Sequence, residues 1–164
     1  MEDASYHHFE DDGAIPNNPT LPVIIYPGAF KENPEDIESV FIQNKWTNSW
    51  TNGVFDYHHY HNNTHEVLGV KSGSATLQLG GESGQAFEFT VGDVVILPAG
   101  TGHKRLSASE DFQVVGAYPH GAEPEIKTGK LDERPEALED ILDAPLPESD
   151  PVFGEDGPVL NNWS

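Results

Sequence analysis

With 164 residues and no cysteine, the chain is long enough for one domain with a single core, and it lacks the thiols that disulfide scaffolds, thiolate zinc sites, iron–sulfur clusters and Cys nucleophiles require. An apolar fraction of 36%, with eight Phe and three Trp, suffices for that core. A formal net charge of −20 argues against nucleic acid and anionic membrane surfaces as partners, since both need Lys and Arg; it reads as a solubility feature.

Residues 1–20 are polar, are interrupted by Pro16 and Pro19, and read as a flexible arm in which His7 and His8 are solvated. The stretch 1–13 carries neither Lys or Arg nor an apolar run, so no secretory signal is expected and the protein is expected to be cytoplasmic. Runs such as Val23-Ile24-Ile25 are too short to cross a bilayer.

Residues 21–119 form the expected domain. Short β-type runs fall at 21–26, 53–60, 66–71, 75–79, 86–90, 93–97, 103–107 and 112–118, with Gly-rich turns between them. One helix interrupts the strands: Asn33 is placed to cap it, Pro34 fits its first turn, and Ile37, Val40 and Phe41 make its apolar stripe. Many short strands with regular turns mean an all-β sandwich or jelly-roll barrel. Residues 120–164 form an acidic, proline-rich tail, with a short helix expected at 135–142 where Leu138, Ile141 and Leu142 share a face. Val152, Phe153, Leu160 and Trp163 are apolar enough to need cover, so the tail is expected to pack on the barrel.

Four of the eight histidines lie between residues 58 and 65. His59 and His61 are one residue apart, so on a strand they point to the same face. The chain then turns through Asn62-Asn63-Thr64 and returns as β-type sequence, where Glu66 and His65 compete to face the two histidines. His103 adds a further nitrogen after the turn at 98–102. Three imidazoles and one carboxylate would hold a first-row divalent ion and leave positions open for water, substrate or dioxygen.

Two spacings agree with this set. Gly53, His59, His61, Glu66 and Gly73 follow G-x5-H-x-H-x4-E-x6-G, and Gly92, Pro98, Gly100 and His103 follow G-x5-P-x-G-x2-H-x3-N, with Ser107 in place of the final Asn. In these nine positions the chain resembles the cupin family. The resemblance implies a double-stranded β-helix, the cupin jelly-roll barrel, and one divalent metal (Fe, Mn, Ni or Zn) on His59, His61, Glu66 and His103, with Glu66 chosen over His65. The Asn that Ser107 replaces is not a ligand in that family, so the departure touches only local packing. The stretches HHYHNNTHEVLGVKSG, GDVVILPAGTGHKRLSASEDFQVVGAYP and DPVFGEDGPVLNNW resemble a group of uncharacterised single-domain bacterial cupins, which carries no activity over.

Around this site, strand parity turns His58 and Tyr60 away and leaves His65 either supporting a ligand or on the surface, with the surface favoured. His120 is expected to be exposed. Arg105 follows His103 by two residues and so faces the barrel interior, to meet either a substrate carboxylate or phosphate or an internal acid. Tyr57 shares the face of His59 and either lines the pocket or packs in the core. No serine-hydrolase elbow, P-loop or dinucleotide loop is present. The expected function is metal-dependent chemistry, oxygenase- or isomerase-like, on a small molecule; the alternative is a non-catalytic ligand-binding or sensor module. The metal should be lost as pH drops through roughly 6 to 5, where imidazole protonates. A homodimer is expected, because jelly-roll sheets leave edges to cover.

Overall fold

The runs Val23–Tyr26 and Val94–Leu97 are buried at every position, which a strand with one wet face would not be. The computed structural model, which describes residues 3–164, shows the cause: these strands lie in a middle layer covered on both sides. In chain order the strands are β1 (Ser5–His7), β2 (Val23–Tyr26), β3 (Trp46–Asn52), β4 (Glu66–Ser72), β5 (Ser74–Leu79), β6 (Gln85–Thr90), β7 (Val94–Leu97), β8 (His103–Ala108) and β9 (Gln113–Pro119). The helices are α1 (Ile37–Gln43), α2 (Glu136–Asp143) and α3 (Pro158–Asn162). All ladders are antiparallel, in a six-stranded sheet of order β1-β2-β7-β4-β9-β3 and a three-stranded sheet of order β6-β5-β8.

Alternation along each middle strand sorts its side chains between two cores. Val23, Ile25, Leu68, Val70, Val95, Leu97 and Val114 face the small sheet and meet its Leu77, Leu79 and Phe89. Ile24, Tyr26, Val67, Val94, Ile96, Val115 and Ala117 face the other way and meet Ile37 and Phe41 of α1 and Val159 and Trp163 at the C-terminal end. The two facing antiparallel sheets are those of an all-β jelly roll.

Two features differ from the expected elements. The segment 53–60 is not a regular strand; only His59 and Tyr60 form isolated bridges, to His103 and Lys127. The strand lies just before it, at β3, whose sequence WTNSWTN alternates Trp with polar residues at a partly exposed sheet edge and contains a register shift after Thr47. Within 1–20, Ser5–His7 pair with β2, and Ile15 and Asn17 are each 2% exposed.

In α1, Asn33 makes no side-chain cap bond, and Pro34–Asp36 form a 3-10 turn leading into the helix. In α2, Ala137 and Ile141 are buried while Leu142 is 69% exposed, so the apolar face is rotated from the one expected. The tail carries a second helix, α3, and is pinned by Asp150. That carboxylate is fully buried and accepts hydrogen bonds from the Tyr26 hydroxyl and the backbone N–H groups of Val152, Phe153 and Val159. The indole N–H of Trp163 donates to the Pro22 carbonyl at 2.9 Å.

His65 belongs to this outer layer. It is 1% exposed, its Nδ1 accepts the Ala99 N–H at 2.9 Å, and its ring lies 4.7 Å from that of Trp163. The surface placement expected for it is therefore corrected: parity that turns Glu66 inward turns His65 outward, and the tail covers that side.

Burial holds the His65 imidazole down from 6.5 to about 4, and a like-charge effect of His120 adds to it. Between those values the unfolded chain binds the extra proton and the folded one does not. Stability from this group is therefore complete above pH 6.5 and lost as pH falls toward 4, amounting to about 3 kcal/mol. His65→Asn, which keeps an acceptor for Ala99, should lose less stability than the parent protein between pH 7 and pH 4.5 in urea titrations. Phe41→Ala, which empties the contact between α1 and the sheet, should cost about 3–5 kcal/mol in the same assay.

Candidate metal centre

Glu66 opens β4 and points with Leu68 and Val70 into the space between the sheets. His103 opens β8 opposite Leu79 and enters the same space. The turn that delivers it depends on Gly100, whose φ of 92° suits glycine and whose N–H donates to the His61 carbonyl at 2.8 Å. His59 is held by a reciprocal backbone pair with His103, at 3.2 and 2.9 Å, which brings their rings to 4.0 Å. His61, two residues on, lies 5.9 Å from the His59 ring and 5.5 Å from that of His103. Glu66 Oε1 stands 3.2 Å from His61 Nε2 and 3.4 Å from His103 Nε2. The structure thus brings together all four residues that the spacing singled out. Ligand atoms of the three histidines lie within 4.8 Å of one another.

The proton inventory of this cluster is informative. Each Nδ1 faces a backbone carbonyl: Tyr57 for His59 (3.1 Å), Glu125 for His61 (2.8 Å) and Thr101 for His103 (3.0 Å). A carbonyl only accepts, so Nδ1 carries the hydrogen and Nε2 of each neutral ring carries a lone pair. Glu66 Oε1, in a residue 2% exposed, then has no donor, and its short approaches to Nε2 are ion pairs only if an imidazole is charged. Burial pushes His59 down to about 3, with the neighbouring His103 and His61 adding to it. Burial also opposes charge on His61, but the Glu66 carboxylate outweighs it and raises that ring above its ordinary value. Burial would raise Glu66; the imidazoles of His61 and His103 hold it well below the usual carboxylate range.

Sequence reasoning missed Tyr118 and Trp50. Tyr118 lies on β9 with the inward parity of Val114 and lines the cavity with Glu66. Burial and the Glu66 charge raise the phenol far above its usual range, so it keeps its proton. The Trp50 indole N–H donates in turn to the Tyr118 oxygen at 2.7 Å. Trp50 sits opposite Gly116 in the ladder, and a Cβ on Gly116 would collide with the indole. The parity of 112–118 was a signal for Tyr118; Trp50 carried none, because β3 was not recognised as a strand.

The four residues open onto a cavity of about 410 Å³, lined also by Trp50, Val54, Phe55, Leu68, Tyr118 and Ile126. Arg105 lines it as well. Its Nη1 donates to the Val54 carbonyl at 3.1 Å, and its Nη2 lies 3.8 Å from Asp56 Oδ2. Tyr57 does not line the cavity: it is 44% exposed and stacks on Phe55 at 4.9 Å. Its expected place in the pocket rested on strand parity, which does not apply where 53–58 leaves the sheet. His58 pairs with Glu82 at 2.7 Å and Tyr60 donates to Glu133 at 2.8 Å, both away from the cluster. His120 is exposed.

No family model matches the chain. It is similar to the uncharacterized protein YjlB of Bacillus subtilis (strain 168), at 48% identity over 157 residues, covering 96% of this chain and 94% of that protein. Among solved structures it is similar to Bacillus subtilis oxalate decarboxylase, with 22% identity, a TM-score of 0.39 and coverage of 66% of this chain. The chain spans only 28% of that enzyme. It is also similar to a DUF861 family protein of Thermotoga maritima, with 24% identity and a TM-score of 0.36 over 58% of this chain and 96% of the other. The facing antiparallel sheets bring the two spaced motifs together, as the cupin resemblance implies. The chain belongs to the family of Bacillus subtilis YjlB.

Proposed function

We propose that the protein holds one divalent metal ion on Nε2 of His59, His61 and His103 and on the Glu66 carboxylate, and that this centre serves chemistry on a small molecule in the adjoining cavity. One observation carries the reading: three Nε2 lone pairs and a carboxylate oxygen converge in a buried space while every Nδ1 proton is given to a backbone carbonyl. Buried lone pairs without a proton between them repel, and a cation is the group that reconciles them. Fe, Mn, Ni and Zn all accept imidazole and carboxylate together.

When bound, such an ion polarises a substrate oxygen or activates water or dioxygen, the chemistry of isomerase- and oxygenase-like centres. The chain's own residues do the rest. Tyr118 stays protonated on the cavity wall with Glu66, and Trp50 holds its oxygen. Val54, Phe55, Leu68 and Ile126 give the cavity an apolar wall. The access of His59, His61, Glu66 and His103 to this cavity favours the small-molecule reading over a purely structural ion.

Elemental analysis of protein purified without a metal-affinity tag should return close to one equivalent of one of these metals. His61→Ala should weaken retention by more than the ~10–100-fold typical of removing a supporting residue, in a barrel that still folds by circular dichroism. Unchanged metal content in that variant would place the site elsewhere. Chelation should lower the melting temperature, since metal at about 100 times its Kd stabilises by about 2.7 kcal/mol. Metal retained on dialysis should fall as pH drops through roughly 6 to 5.

A further inference from the structure

Resting on that metal centre, we propose that the cavity takes a small monocarboxylic acid, with its carboxylate on Arg105 and an apolar body against Val54, Phe55, Leu68 and Ile126. Arg105 is the one permanent cation lining the cavity among the described residues. A guanidinium offers five N–H donors in a planar fork. Here one of them reaches a protein acceptor at hydrogen-bond distance, the Val54 carbonyl at 3.1 Å. The remaining neighbour is Asp56, whose carboxylate stays 3.8 Å away on a side chain 72% exposed, so water competes for it. A carboxylate entering the cavity meets unspent donors in the geometry that binds it through both oxygens.

Charge narrows the class further. The chain carries a net −20, and Asp56 lines the cavity beside Arg105, so a phosphate dianion at the guanidinium meets more repulsion than a carboxylate does. A single negative charge is what one arginine neutralises. The position of Arg105 fits as well. It lies two residues along β8 from His103, about 7 Å by the rise of a strand. An acid anchored there lays its next few atoms beside the histidine cluster. The apolar wall supplies the rest of the contact, in the usual division of a ligand site between apolar walls and a few placed polar groups.

The test is calorimetric titration of the purified, metal-assayed protein with phenylacetate and hexanoate, against phenylacetamide, hexanamide and phenyl phosphate. The acids should bind about tenfold or more tightly than their amides, and more tightly than phenyl phosphate. Arg105→Gln should weaken the acids about tenfold while metal content stays at the parent value. Asp56→Asn removes the competing anion at the rim and should tighten the acids about threefold, a gain that a misfolded variant cannot mimic. Equal affinity for acid and amide, preference for the phosphate, an unchanged Kd in Arg105→Gln, or no binding of any probe overturns the proposal. A protein with one equivalent of metal and no acid preference loses the substrate class alone. A protein without metal that still binds acids through Arg105 loses the metal centre alone.

Discussion

A carboxylate with 2% of its surface exposed cannot stay charged in an apolar barrel unless positive charge or donors stand beside it. Glu66 is placed in that position by parity alone: with Leu68 and Val70 inside, the first residue of β4 must also be inside. The surroundings answer to this constraint. The protonated phenol of Tyr118 lines the same cavity, and Trp50 fixes its oxygen. The three imidazoles present lone pairs because backbone carbonyls hold their other nitrogens. Two of these carbonyls, at Tyr57 and Thr101, lie two residues before the histidine they orient, while that of Glu125 comes from the start of the tail. The ring orientation of His61 therefore depends on a chain path well outside the metal motifs.

The layering explains why the site tolerates so much burial. The six-stranded sheet is covered on its far side by α1, Trp46, Val159 and Trp163, so its strands are apolar on both faces. Asp150 collects the hydroxyl of Tyr26 and three N–H groups of the tail, and thereby ties that cover to β2. His65, the immediate neighbour of a proposed ligand, becomes a buried packing residue in the same layer. One residue of difference along β4 separates an imidazole under a tryptophan from a carboxylate at the centre of the cavity.

Most of the cluster was legible in the sequence because it depends on short-range arithmetic. His59 and His61, Glu66, and the turn before His103 are each set by intervals of a few residues, and apolar runs marked most of the strands that carry them. What was not legible depends on partners far apart in the chain. Tyr118 meets Glu66 across neighbouring strands, and Trp50 meets Tyr118 from β3, a strand that WTNSWTN hides because its apolar positions are too few. Tyr57 shows the reverse case, in which strand parity was extended through a segment held by only two bridges. The exposure of Leu142 is similar, since the face of a two-turn helix is set by what it docks on and not by its own pattern.

The three tryptophans differ in a way that follows from Gly116. Trp46 and Trp163 are 0% and 5% exposed in the far layer, each with its indole N–H on a backbone carbonyl. Trp50 lies flat against the space that Gly116 leaves, on the cavity wall, and is the one bonded to a phenol beside the cluster. The protein thus carries its own optical probe. Changes in indole emission on filling the cavity arise from a single residue, while the other two supply a constant background that reports only on unfolding.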